Sequence, residues 1–378
     1  MQSIQDDLGR EFFFHRPPAR IVSLVPSETY SLARLGALER LVGRTDYCVE
    51  PAGALGAVPS VGGTKSARVD AVLDARPDLV LANQEENTRA QIEAIGQAGV
   101  PVFVSFPRRV AEGFAHLARL GRLLGLARDE RARGLVREAY DALREAESKR
   151  AARPPLRAFV PIWPDPLMTI NGETYISDAL DLAGAVNVFA DRPRRYPLAA
   201  DLGRGPELPP ERSAGRDTRY PRVTAAEVVE RAPRLVLLPD EPHAFTPADA
   251  EALRQAGVPA AGGRVAFCSG KDLCWPGAWA IEGVRSLGRL IDSLRDADAP
   301  HDAAPLRADG PARADGPARE SGSPPAGGPS RADDPVRADD PARAGGPPPA
   351  DGPARAGGSP PADGPSRPKG PSREGSPS

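Results

Sequence analysis

Arg20-Ile-Val-Ser-Leu-Val-Pro26 is a short β-branched apolar run that stops at proline and serine, and Glu28 to Leu38 then brings Leu32, Leu35 and Leu38 round at helical spacing. The order is strand, turn, helix. It recurs, with strands expected at Leu41 to Thr45, Asp78 to Ala82 and Val100 to Phe106 and helices at Val69 to Ala75 and Thr88 to Ala98. Strands alternating with helices at this spacing predict a mostly parallel sheet covered on both faces.

After Phe106 the pattern changes. Val110, Phe114, Leu117, Gly121 and Leu124, then Ala132, Leu135, Ala139, Leu143 and Ala146, keep helical spacing, punctuated by Gly125 and closed by Pro154 and Pro155. A single long helix, residues 126–153, is therefore expected between an N-terminal lobe, 1–125, and a C-terminal lobe, 154–295. In the second lobe the alternation resumes with strands at Leu156 to Ile162, Leu235 to Leu238 and Arg264 to Cys268, among helices at Tyr175 to Ala183, Ala225 to Arg231, Pro247 to Ala256 and Ala278 to Leu294. The expected fold class is α/β, two Rossmann-like lobes bridged by one long helix. Residues 197–219, rich in Pro, Gly, Arg and Glu, lie between Arg195-Tyr196-Pro197 and Arg219-Tyr220-Pro221 and read as a surface-loop insertion bordered by a duplicated tripeptide.

From Asp296 to Ser378 the chain becomes a loose repeat of Ala-Asp-Gly-Pro-Ala-Arg units almost without Val, Ile, Leu or aromatic residues. Such a segment cannot bury enough apolar surface to offset its chain entropy, so a disordered tail is expected. The formal charge of −2 comes from interleaved arginines and acids, which leaves no basic face for nucleic acid. No apolar run approaches the roughly eighteen residues of a membrane-spanning helix. Met1 to Arg20 carries Asp6, Asp7 and Glu11 and lacks the order of a secretory signal, so a cytoplasmic location is expected; an upstream start adding a signal would make it periplasmic. Cys48, Cys268 and Cys274 are odd in number, fit a reducing compartment and lack zinc-finger spacing.

Catalytic signatures are missing: there is no Gly-x-Gly-x-x-Gly, His-Glu-x-x-His or Gly-x-Ser-x-Gly, and Gly62-Gly-Thr-Lys-Ser66 lacks the Gly-Lys-Ser/Thr order of a phosphate loop. A binding protein is expected rather than an enzyme; the catalytic alternative is a chelatase-like cytoplasmic enzyme, for which Glu85 with His243 is the one acid–imidazole pair available.

Several tags, in order, carry a resemblance: Gly9-Arg10 before Arg20-Ile-Val-Ser-Leu-Val-Pro-Ser27, Leu41-Val-Gly-Arg-Thr-Asp-Tyr-Cys48, Val61-Gly-Gly-Thr64, Arg76-Pro-Asp-Leu-Val-Leu-Ala82, Gly184-Ala-Val-Asn-Val-Phe189, Pro221-Arg-Val-Thr224 and Asp272-Leu-Cys-Trp-Pro-Gly277. From about Gly9 to Leu294 the chain resembles the helical-backbone class of periplasmic binding proteins, which feed cobalamin, haem and ferric siderophores to ABC importers. Asn83-Gln-Glu-Glu-Asn87, Pro161-Ile-Trp163 with Met168-Thr169, and Pro239-Asp-Glu-Pro242 look like a signal-less branch labelled cobalamin-binding. The resemblance implies a ligand cleft between the lobes and an ABC transporter permease as partner, docked through one acid per lobe. The first matches Asp70; at the second position stands Ala226, with Glu227 one residue later.

In parallel α/β sheets ligands gather beyond the carboxyl ends of the strands. The loops expected there offer Tyr47, Trp163 and Trp275 as broad faces for a macrocycle, and Lys65, Asn83, Asn87 and Lys271 as partners for its amide or carboxylate rim, with Met168 beside Trp163. The aromatics could equally pack the lobe cores. Glu85, Glu86, Asp240, Glu241, His243 and Cys48 could make an oxygen-rich metal site with one imidazole, or be solvated charges that cap helices. His15, His116 and His301 read as surface or tail residues. The expected ligand is a corrinoid such as cobalamin, then haem or a ferric chelate, with no covalent cofactor.

Overall fold

The computed structural model of the chain describes residues 2–258 and 264–296. The expected tail lies outside the described residues, apart from Asp296, which ends a helix. The chain begins with an antiparallel hairpin of β1 (Gln2–Gln5) and β2 (Glu11–Phe14). Buried Asp6 pins it to the first lobe, accepting the N–H groups of Leu8, Arg10 and Val104 and pairing with Arg10 at 2.6 Å.

The alternation then follows as β3 (Ile21–Ser23), α1 (Pro26–Leu35), β4 (Leu41–Arg44), α2 (Val69–Asp74), β5 (Leu79–Asn83), α3 (Arg89–Gln97) and β6 (Val102–Ser105). The four strands β3 to β6 form a parallel sheet in the order β4-β3-β5-β6. β3, β5 and β6 are buried along their whole length, as a sheet covered on both faces requires.

Two helices follow, α4 (Val110–Leu123) and α5 (Glu130–Ala151). The two are separated where Gly125 turns left-handed at φ +74°, with Pro17 so close that a Cβ there would run into its ring. α5 restarts behind the Asp129 cap and, at 22 residues, runs about 33 Å between the lobes.

The second lobe contains β7 (Leu156–Phe159), the short hairpin β8 (Trp163–Pro164) and β9 (Leu167–Met168), α6 (Tyr175–Leu182), β10 (Ala185–Asn187), α7 (Leu198–Asp201), α8 (Pro210–Ser213), α9 (Ala225–Glu230), β11 (Leu235–Pro239), α10 (Pro247–Gln255), β12 (Arg264–Cys268), α11 (Gly270–Cys274) and α12 (Ala280–Asp296). Its parallel sheet has the order β10-β7-β11-β12. Both sheets therefore place their second strand outside the first and their third and fourth on the other side.

One apolar cluster joins the lobes, running from Phe103 and Phe114 through Ala139 and Ala146 of α5 to Ala179 of α6 and Ile281 of α12. Ala278 donates its N–H to Ser31 Oγ at 3.1 Å, and Val110 N–H reaches Asp178 Oδ2 at 2.8 Å. Opening the lobes widely would expose this shared core, so their relative motion is small.

Two expectations need correction. Residues 197–219 are more than a surface loop: they contain α7 and α8, and Asp201 is buried against Arg192 at 2.9 Å while accepting the N–H groups of Arg195 and Arg222. His116 is not on the surface either. It is 3% exposed, with Nε2 2.7 Å from Glu28 Oε1, because α4 is covered on the face that carries it. Arg119, whose guanidinium can only donate, meets its Nδ1 at 3.0 Å.

Candidate ligand cleft between the lobes

The third strand of each sheet ends in an acidic turn, Gln84-Glu85-Glu86 after β5 and Asp240-Glu241 after β11. In this strand order the connections diverge between the first and third strands, the position where open parallel sheets leave a crevice. The turns face each other, since the Glu86 carboxyl feels the charge of Glu241 as well as that of Glu85.

Asparagines shape the first turn. Asn83 Oδ1 accepts the N–H groups of Glu85 and Glu86 at 2.8 and 3.3 Å, and Asn87 accepts Asn83 N–H while donating to the carbonyls of Leu24 and Thr64. Both are buried, and the Asn83 amide nitrogen donates to the Ser105 hydroxyl at 3.3 Å. On the facing side Asp240 accepts Gly270 N–H at 2.5 Å. A Cβ at residue 270 would lie 2.6 Å from both Cβ and N of Glu241, so only glycine lets α11 begin there. Glu241 Oε2 accepts the indole N–H of Trp275 at 3.0 Å.

Burial sets the ionisation. The Glu86 carboxyl is enclosed by protein, yet the residue keeps some open surface, as a group on the floor of a cleft does. Enclosure is the main cause that pushes it up to about 8, against the pull of Lys65. Glu241 is raised by the same cause, and Lys65, whose ammonium donates to the Glu85 carbonyl, is lowered by burial.

Two contacts cross the mouth. Glu85 Oε1 takes both the Arg219 guanidinium and the Tyr220 hydroxyl at 2.5 Å, and Lys271 Nζ lies 2.8 Å from Glu50 Oε1. Aromatic rings flank them. Trp163 is half-buried, edge-on to His243 at 5.4 Å; Trp275 and Trp279 meet at 5.2 Å, and Tyr30 packs on Trp279 at 4.9 Å.

The structure thus brings Glu85, Glu86, Asp240, Glu241, Lys65, Lys271, Trp163 and His243 to the facing loops. Tyr47 is half-buried beside Gly63. Cys48 lies in the core, its thiol held by Thr29 and Thr45 at 3.1 Å and pushed up by burial, and Met168 is packed in the second lobe. Trp275 is 5% exposed. Among the described residues no three His, Cys, Asp or Glu converge to hold a metal ion. Asp70 and Glu227 both lie in the first turn of the helix before the third strand of their sheet, Asp70 as its second residue and Glu227 as its third; Asp70 is exposed, whereas Glu227 is bound by Arg192 at 2.9 Å.

Sequence reasoning passed over Glu28, Glu50, Arg219, Tyr220 and Trp279. The repeated Arg-Tyr-Pro was a signal for Arg219 and Tyr220, and the spacing of Trp275 and Trp279 about Pro276-Gly277 was one for a paired indole wall.

The family profile of periplasmic binding proteins matches residues 21–237, more than half of the chain and parts of both lobes. The chain belongs to the periplasmic binding protein family. Among curated relatives, the vitamin B12-binding protein of Yersinia pestis is 27% identical over 172 residues, 46% of this chain and 60% of that protein, so the chain spans about three fifths of the length of the relatives it matches. Two solved periplasmic binding proteins share the fold. The periplasmic vitamin B12 binding protein of Vibrio cholerae superposes with TM-score 0.58 at 19% identity over 74% of this chain and 98% of that one. A periplasmic heme-binding protein from Roseiflexus sp. RS-1 gives 0.56 at 17% over 73% and 98%. Among the described residues of this family member, no helix is long and apolar enough to cross a membrane.

Proposed function

We propose that this periplasmic binding protein family member takes a corrinoid such as cobalamin into the cleft between its lobes and releases it unchanged. The carrying observation is the arrangement at the carboxyl ends of the two sheets: acceptor-rich turns face each other beside the Trp163 ring, next to the Trp275–Trp279 pair. Flat apolar faces suit a macrocycle, and the surrounding carboxyls suit its amide rim. The vitamin B12-binding relatives support the same ligand.

Asp70 is proposed as the docking acid toward an ABC transporter permease, being exposed where Glu227 is engaged internally. The absorption spectrum of the protein, washed after incubation with cobalamin, haem or a ferric chelate, tests the reading. Retention of the cobalamin bands alone is expected; retention of haem or the ferric chelate in their place would overturn it.

A further inference from the structure

The bases that contact the two acidic turns are already engaged: Arg219 by Glu85 and Asp217, Lys271 by Glu50, and Lys65 by the Glu85 carbonyl. The exposed Arg108 stands at the rim, against the ring of Phe106. The acids are less satisfied. Glu28 is 3% exposed and its Oε2 is buried with no hydrogen-bond partner, close enough to Glu86 to act on its charge. The Glu86 carboxyl makes no hydrogen bond or close ion pair among the described residues, and Glu241 spends one oxygen on Trp275. Acceptors here outnumber donors, and a buried acceptor without a donor is costly.

We infer that the cleft selects its chelate by the chemistry of the rim, accepting one that presents amide N–H or ammonium donors and excluding one rimmed by carboxylates, with Glu28, Glu86 and Glu241 as the selecting groups. This rests on the proposed chelate-binding reading. An ionised carboxylate is acceptor-only and takes an amide N–H; a protonated one also donates to the amide carbonyl, so a primary amide matches either form. A ligand carboxylate supplies no N–H, adds like charge to the set and finds Arg219 and Lys271 already paired.

The test compares two corrins that share a ring, cobinamide with amide side chains and cobyrinic acid with carboxylates, by titration at about pH 8. Cobinamide is expected to bind at least about tenfold tighter, and the Glu86→Gln/Glu241→Gln double variant is expected to narrow the gap to within about threefold. Binding of both corrins within about threefold by the unaltered protein would overturn rim selection and leave the corrin reading standing. Failure of both corrins, with a cationic ferric trihydroxamate bound and haem refused, would overturn the corrin reading and support rim selection. Tighter binding of haem than of cobinamide would overturn both.

Discussion

Arg219 Nη1 lies 2.5 Å from Glu85 Oε1, tying the second lobe to the turn at the end of β5 in the first. The same guanidinium covers the Phe106 ring at 4.9 Å and is anchored by Asp217 at 2.6 Å. Its backbone is fixed as well, since Asn171 N–H donates to the Arg219 carbonyl at 2.8 Å. Arg219 is thus a latch on a firm mount.

A partly buried, charge-assisted latch is worth about 1–2 kcal/mol. Arg219→Ala should accelerate cobalamin association by roughly 5- to 30-fold if the mouth must open first. Stopped-flow association rates check this; an unchanged rate would show that the latch does not gate the cleft.

Glu86 should make stability depend on pH. Its carboxyl is raised in the folded protein from 4.5 to about 8, so between those values the folded state holds a proton that the unfolded state has released. Stability therefore falls as pH rises through this window. Glu86→Gln should gain stability relative to the unaltered protein across the same window, with no gain below it and the full gain above it. Urea unfolding at about pH 4.5 and about pH 9 measures the difference; an equal difference at both would refute the assignment.

Asp201 should behave as a core residue. It is buried with Arg192 and accepts two backbone N–H groups, so Asp201→Ala leaves the buried guanidinium with Glu227 as its one carboxylate, strips two N–H groups of their acceptor and should cost about 3–5 kcal/mol. Equilibrium unfolding of the variant decides; a loss under about 1 kcal/mol would show that residues 197–219 are dispensable to the fold.

The lobes were legible because buried parallel strands are written as continuous apolar runs such as Leu79–Asn83 and Leu235–Pro239. Strand order is not written locally, whereas the break between α4 and α5 is, in Gly125. The acidic turns were visible as polar residues after strands. Their framework was not: Asn83 and Asn87 have the composition of ligand-facing groups, but only the fold shows their amides spent on backbone and on the Ser105 hydroxyl. His116 and Asp201 look solvated until their partners Glu28 and Arg192 arrive from elsewhere in the chain.

Trp163 and Trp275 differ in a way that tests the central claim, because Trp163 is half-buried beside the acidic turns while Trp275 is 5% exposed with its N–H tied to Glu241. The most direct measurement is cobalamin affinity, by tryptophan fluorescence quenching, and unfolding free energy on the same samples of the unaltered protein and Trp163→Ala. Saturable quenching by one cobalamin is expected, with affinity lowered by about 1–3 kcal/mol in Trp163→Ala and the larger share of its total loss falling on binding. Unchanged affinity together with a stability loss of about 3–5 kcal/mol would make Trp163 a core residue and contradict a corrinoid stacked in this cleft.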